Sequence, residues 1–449
     1  MKIHQDQELL TPWISGLPNG WKCPRIDDVC DVFFSNVDKH TVEGELPARL
    51  CNYVDVYKNE KITHAIDFME ASADAYELER FQIRKGDVLL TKDSEEPDDI
   101  AIASLVDEDL PGVICGYHLA LIRAQSRSIK GWFLSWVHKS KPFRAQYEAK
   151  AIGITRFGLS QYAFRSARIP LPSADEQDRI STYLDKQCSA IDKVLESKRE
   201  QLTVLEELRK SIIHKAVTKG LDDCVEMKDS GIDWIGEIPA KWKVARLKAY
   251  ADINKQSLGE ETEPDFSFYY IDIGNVDYEK GYEKKELVEF SSAPSRARRK
   301  VEQGDTIVST VRTYLKAIAY VHESGEDIVV STGFAVVSPR KPFVMDKFLN
   351  HFLRSHFVIE KISSLSTGVG YPAIDSTRLS CIPIIIPSKE EQAAIAEYLD
   401  AQCKRIMNLR DGITQQIEIL ERYRQSLIHE CVTGKRRITE KELKELANV

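Results

Sequence analysis

No Gly-x-x-x-x-Gly-Lys-Ser/Thr loop occurs in the chain, so it lacks the phosphate cradle of a nucleotide motor. The Asn/Asp-Pro-Pro-Tyr/Phe tetrapeptide of amino-methyltransferases is missing, as is any glycine-rich cofactor loop leading into a helix. Ten histidines form no His-Glu-x-x-His or His/Cys cluster, and nine cysteines include no Cys-x-x-Cys pair. Reduced thiols are expected, with no metal, no cofactor and no catalytic residue in this chain. There is no run of 18 apolar residues, and Met1-Lys2-Ile3-His4-Gln5-Asp6 opens no signal peptide, so a cytoplasmic chain without membrane spans is expected.

A positive balance is also absent. The net charge of −8 excludes a uniformly basic nucleic-acid binder. Acid is concentrated in residues 93–109 and 260–265, whereas Arg296, Arg298, Arg299 and Lys300, and Lys139, Lys141, Arg144 and Lys150, form basic clusters. A local face can therefore still meet phosphate.

What is present is a repeat. Pro172-Ser173-Ala174-Asp175-Glu176-Gln177 returns as Pro387-Ser388-Lys389-Glu390-Glu391-Gln392, an offset of 215. The same offset relates Tyr183-Leu184-Asp185 to Tyr398-Leu399-Asp400, Ile213-His214 to Ile428-His429 and Val217-Thr218 to Val432-Thr433. Ser173 and Ser388 are N-cap candidates, with Glu176 and Glu391 placed to close capping boxes, and Gly220 and Gly434 stand near the C-caps. His214 and His429 fall at equivalent helix ends, where a charged imidazole would suit the dipole better than a general base would.

Between cap and C-cap the apolar residues alternate in steps of three and four. Leu184, Cys188, Ile191, Val194, Leu202, Leu205 and Leu208 make this seam in the first copy, with Lys198 in a polar slot. Leu399, Cys403, Ile406, Leu409, Ile413, Ile417, Leu420 and Tyr423 make it in the second, where Gly412 costs about 1 kcal/mol. Each copy therefore predicts a long helix seeking a helical partner, most economically the other copy. Each helix is roughly 65 Å long. The chain between them would fold into a domain with a radius of gyration of about 15 Å, too small to span that length. An antiparallel coiled-coil spacer with a domain at each end is expected.

The repeat extends beyond the helices. Trp13, Pro18, Trp21-Lys22 and Arg25 match Trp234, Pro239, Trp242-Lys243 and Arg246, and Gly86-Asp87 matches Gly304-Asp305. The tryptophans read as core or partner contacts. Strands are expected at 87–91 and 305–310, 114–122 and 328–337, and 169–172 and 382–387; short helices are expected at 133–137 and 348–353. The fold class is α+β: two mixed α/β domains and two long helices in a pseudo-two-fold internal repeat. The expected division is 1–172 and 221–387 for the domains, 173–220 and 388–434 for the helices, and 435–449 for a tail.

The helix entries Ile-Pro-Leu-Pro-Ser-Ala-Asp-Glu-Gln (169–177) and Ile-Ile-Ile-Pro-Ser-Lys-Glu-Glu-Gln (384–392) resemble those of the specificity subunit of type I restriction-modification systems. The following Ile-x-x-Tyr-Leu-Asp at 180 and 395, the Pro-x-x-Trp-Lys at Pro18 and Pro239, and the two-copy order along the chain carry the same resemblance. It implies two target recognition domains that read a split double-stranded DNA sequence. It also implies two methyltransferase subunits docked on this chain, together with restriction subunits. S-adenosylmethionine, ATP and Mg2+ would belong to those partners, which supply adenine-N6 methylation and ATP-dependent cleavage. The competing readings are a coiled-coil scaffold without DNA binding, which leaves two large unlike domains unexplained, and an enzyme, which the missing motifs disfavour.

Candidate DNA-binding residues lie in two matched places. After one strand come Arg312, Thr313, Tyr314 and Lys316, with Lys92 and Asp93 after its counterpart. Arginine suits bidentate guanine contact, lysine suits phosphate and a carboxylate can accept from cytosine. Before the last strand come Gly153 to Gly158, with Thr155 and Arg156, and Gly368 to Tyr371, where glycine permits close backbone approach. A solvated hairpin or ordinary tight turn is the competing reading for each.

Overall fold

The computed structural model describes residues 16–447 apart from 126, 127, 283 and 326; Trp13 lies outside the described residues. The chain divides into two compact units, residues 1–198 with 415–449, and residues 199–414. Each contains a mixed domain and a part of both long helices, Ala174–Lys219 and Lys389–Val432.

In the first unit a five-stranded sheet runs in the order Cys30–Phe34, Leu119–Ala124, Val88–Thr91, Ala103–Val106, Lys61–Ile62. Met69–Ala73, Leu46–Cys51 and Val113–Cys115 form a second sheet. The second unit has one four-stranded sheet with Thr306–Ser309 beside Phe334–Pro339, and another built on Ser267–Ile271 and Ile328–Ser331. The strands expected at 87–91 and 305–310 are thus central, and both are entered through a left-handed glycine, Gly86 (φ +91°) or Gly304 (φ +95°).

Two expected strands are each broken into two. Residues 114–122 divide into Val113–Cys115 and Leu119–Ala124, which belong to different sheets, and the corner is Gly116. A Cβ there would lie 2.8 Å from the Cys51 carbonyl oxygen. Residues 328–337 divide at Gly333, whose Cβ would lie 2.5 Å from Ile273 Cδ1. Each corner is short, Gly116-Tyr117-His118 or Thr332-Gly333, and apolar strands of two successive sheets flank it on both sides, so each pair reads as one run. The short helices are Gly131–Lys139 and Asp346–Leu353. Of the two apolar entries to the long helices, Pro383–Ile386 is a strand paired with Lys243–Arg246, while the first makes only isolated bridges at Arg168 and Leu171.

Ser388 N donates to Glu391 Oε2 at 2.9 Å and Glu391 N donates to Ser388 Oγ at 3.3 Å, closing one capping box. In the other copy Glu176 N donates to Ser173 Oγ at 3.4 Å, and the return bond comes from the serine hydroxyl. At the far ends Gly220 (φ +79°) packs against Trp242, and Gly434 (φ +74°) against Pro18 and Trp21. Both tryptophans are buried.

Within the first unit, Leu184, Cys188, Ile191 and Leu195 share a core with Leu427, Ile428, Cys431 and Val432, and half-buried Ile417 and Leu420 pack against it. Arg436 lies 5.0 Å over the Tyr183 ring, while Arg424 Nε donates to Asp192 Oδ1 at 2.8 Å. Rising numbers on one segment meet falling numbers on the other, so these segments are antiparallel. In the second unit Ile213, Ala216 and Val217 share a core with Ile395, Ala396 and Leu399. Ile406 is buried, and Leu202 and Leu205 are half-buried.

Four expected seam residues, Val194, Leu208, Leu409 and Tyr423, are exposed, while Leu195 and Arg209 are buried. A helix of 3.6 residues per turn drifts about 20° per heptad from a 3.5-residue stripe, which moves these positions out of contact. The second helix is continuous through Gly412. His214 and His429 are both pushed below the ordinary imidazole range, first by burial and then by Lys219 and Lys435 respectively, so neither is held as the expected cation. The tail contains a further helix, Glu440–Ala447. Its start is a Thr439/Glu442 capping box, and Leu443 and Leu446 pack on the first unit's core.

Candidate nucleic-acid interface

In the second unit the chain leaves the strand Thr306–Ser309 into a tight turn. Arg312 (φ +51°) and Lys316 (φ +52°) are both left-handed and flank a short 3-10 helix, Thr313–Leu315. Non-glycine residues hold that backbone only when their surroundings fix it. Here Thr310 Oγ1 donates to the Gly333 carbonyl at 2.8 Å and Thr313 Oγ1 donates to Ser366 Oγ at 3.0 Å. Arg312, Tyr314 and Lys316 are exposed, but Thr313 is buried by this bond and does not reach the surface.

The turn before the last strand returns beside it. Val311 and Thr367 both bridge to Ala373, and Ile374 N donates to the Thr310 carbonyl at 2.9 Å. Gly368 (φ +109°) bends the chain, and its Cβ would lie 3.1 Å from the Tyr371 carbonyl oxygen. This sets the Arg312 guanidinium 4.9 Å over the Tyr371 ring. Arg296, Val311, Arg312, Thr332, Gly333 and Tyr371 line a groove of about 470 Å³. Of the basic cluster only Arg296 lines it: Arg298 lies over Phe290, Arg299 reaches Ser257, and Lys300 is 3.9 Å from Asp327.

The first unit repeats this frame. Ile152–Gly153 pairs with Phe157–Gly158, which pairs with Asp93–Ser94, and Leu159 N donates to the Lys92 carbonyl at 2.8 Å. A Cβ on Gly153 would lie 2.0 Å from the Arg156 carbonyl oxygen, so only glycine fits this hairpin. Arg156 Nη2 donates to Asp93 Oδ1 at 2.7 Å, and His118 Nδ1 donates to Asp93 Oδ2 at 2.8 Å. Thr155 and Arg156 are exposed. Lys92 is half-buried, 4.3 Å from the Tyr117 ring and 5.0 Å from the Phe34 ring, and burial pushes its amine below the ordinary range. Its ammonium group thus packs beside two rings.

The cation and its partner trade places between units. Arg156 on the hairpin is held by Asp93 after the strand, whereas Arg312 after the strand is held over Tyr371 on the hairpin. Tyr117 and His118 carry no local signal in sequence, because only the pairing of distant segments brings them to Lys92 and Asp93 respectively. Among the other basic residues, Lys139 Nζ donates to Glu60 at 2.7 Å and Lys150 Nζ to Ser166 at 2.8 Å, both internal ties.

Known proteins resemble this chain in sequence and fold. Residues 239–419 match the type I restriction modification DNA specificity domain. Over 98% of this chain and 99% of the relative, it is 22% identical to a Methanocaldococcus jannaschii protein assigned as the type I restriction enzyme MjaX specificity subunit. The MjaVIII specificity subunit of the same organism is 25% identical over 79% of this chain and 80% of its own. A solved structure concerned with assembly and conformational transition of the type I R-M system is alike in fold, with TM-score 0.71 and 20% identity over 94% of this chain and all of the other. The HsdS subunit from Thermoanaerobacter tengcongensis gives TM-score 0.53 and 22% identity over 94% of this chain and 99% of its own. Over most of its length the chain is thus similar to type I restriction enzyme specificity subunits, and residues 239–419 carry the matching DNA specificity domain.

Proposed function

We propose that the chain reads a bipartite, gapped double-stranded DNA target, each unit contacting one half-site through its strand-end turn and glycine hairpin. As a specificity subunit it is a non-catalytic DNA-recognition component. The observation that carries the finer reading is one backbone frame in both units bearing different side chains: Arg156 with Asp93 in one, Arg312 with Tyr371 in the other. Like frames with unlike side chains suit two unlike half-sites. Arg156 and Arg312 are the proposed guanine readers, with Thr155, Tyr314, Lys316, Gly368 and Tyr371 at the same surfaces.

The two long helices are proposed to pair as an antiparallel coiled-coil spacer within a pseudo-two-fold repeat, with boundaries at 172/173, 220/221, 387/388 and 434/435. Two methyltransferase subunits and restriction subunits are its proposed partners. S-adenosylmethionine, ATP and Mg2+ would act in them, in the cytoplasm. Among the described residues no helix is long and apolar enough to cross a membrane.

The test is methylation mapping in a methylation-free host that expresses this chain with its neighbouring methyltransferase subunit, and each alone. An asymmetric, gapped adenine motif only on co-expression is expected. No new methylation from a confirmed complex would overturn the reading.

A further inference from the structure

Ile154 and Val369 are related by the same 215-residue offset as Gly153 and Gly368. Each stands at the tip of its glycine hairpin, and they are 93% and 106% exposed. A lone exposed aliphatic side chain is ordinary. Two at one position, each beside the cation or ring of a proposed DNA-contact surface, need a common explanation.

The neighbours of these tips differ between the units: Thr155 is matched by Gly370, and Arg156 by Tyr371. The branched aliphatic side chain is kept. A residue that reads bases should change with the half-site, whereas a residue with the same mechanical task on every half-site need not. The hairpins that carry the tips are closed at their bases. Thr367 and Ala373 exchange both backbone hydrogen bonds at 2.9 Å below Val369, and Ile152–Gly153 pairs with Phe157–Gly158 below Ile154. Beside Val369, Arg312 supplies positive charge that would draw a phosphate backbone onto the tip, and beside Ile154, Arg156 would do so by exchanging its Asp93 partner for phosphate. Proteins that bend DNA insert apolar side chains of this kind between base pairs, partly unstacking the step, with cations on the neighbouring backbone.

We propose that Ile154 and Val369 are DNA wedges, one in each unit, that insert at a base step of their half-site and unstack it. The proposal rests on the DNA-reading function above. It separates the kept apolar tip, which distorts, from the varied residues beside it, which read.

The test uses the complex of the full chain with its methyltransferase subunit and a duplex carrying the mapped motif. 2-Aminopurine is placed at successive steps outside the methylated adenines, and its fluorescence rises where stacking is lost. The wild-type complex should brighten one step in each half-site. Ile154→Ser should abolish the signal in one half-site only and Val369→Ser in the other. Each should weaken binding about tenfold, the value of one buried aliphatic side chain, without changing the methylated sequence. Ile154→Leu should restore the signal. Unstacking that persists in both serine variants, a wild-type complex that brightens no step, or a changed methylated sequence would overturn the wedge. A wild-type complex that methylates no gapped motif would instead overturn the function on which it rests.

Discussion

Gln392, wholly buried at the start of the second long helix, accepts the Met345 backbone N–H on Oε1 at 2.8 Å. Its Nε2 donates to the carbonyls of Phe343 and Pro387 at 3.2 and 3.0 Å. Gln177 makes the same three bonds 215 residues earlier, to Lys130 N, Ser128 O and Pro172 O, at 2.8, 3.1 and 3.1 Å. One amide in each unit thus fixes the helix entry to the short helix of its domain. Gln392→Ala would leave buried backbone groups unpaired and should cost about 2–3 kcal/mol. Faster hydrogen exchange at the Met345 amide, with Lys130 unchanged, is the expected signature; Gln177→Ala should give the converse.

His138 is fully buried in the first unit. Its Nδ1 donates to the Leu134 carbonyl at 2.8 Å, so Nε2 accepts from Tyr147 Oη at 2.9 Å. Burial pushes its pKa down to about 4. The unfolded imidazole titrates near 6.5, so between about 4 and 6.5 the unfolded chain holds the extra proton. Stability from this site should be complete above about pH 6.5 and fall by about 3 kcal/mol as pH drops to 4. His138→Gln should flatten urea midpoints over that interval; an unchanged slope would count against it.

Arg312→Ala should lower recognition of one half-site by about 1–3 kcal/mol and leave the other intact. Tyr371→Ala should do less, about 0.5–1 kcal/mol, because it removes only the ring that aligns the guanidinium. Methylation rates on duplexes altered in one half-site at a time measure both. An unchanged rate and sequence would remove Arg312 from the interface.

Leu399→Ala, at a fully buried position, should destabilise the second unit by about 2–5 kcal/mol. Leu208→Ala, at an exposed position on the first long helix, should stay within about 0.5 kcal/mol in the chain alone. Thermal denaturation separates the two, and equal losses would show that Leu208 is covered in solution.

The long helices were legible in sequence because a capping box and a stripe of three- and four-residue steps are local signals. The inward residues were less so. A linear pattern places Val194 and Leu208 on the stripe, but the accumulated rotation of a real helix substitutes Leu195 and Arg209. Residues 114–122 and 328–337 read as single strands because the breaks at Gly116-Tyr117-His118 and Thr332-Gly333 are only three and two residues long and a second apolar strand follows each. At the interface, chemistry was legible and orientation was not. Arg312 and Tyr371, far apart in sequence, touch, whereas Lys92 packs on two rings and Thr313 bonds to Ser366. The Thr439/Glu442 box is as local a signal as the others, but it has no second copy in the chain.

The second unit is one unbroken stretch, residues 199–414, whereas the first joins residues 1–198 to 415–449. Arg424 and Asp192, which meet within the first unit, are 232 positions apart in the chain. During synthesis the second unit has its whole sequence before the first does. The amino-terminal domain is made earliest and completed last, and until Leu427, Ile428, Cys431 and Val432 leave the ribosome, Leu184 and Cys188 lack their cover. A ribosome stalled at a point where residue 414 has emerged and Leu427 has not should therefore hold a protease-resistant second unit and a first unit still open to cleavage.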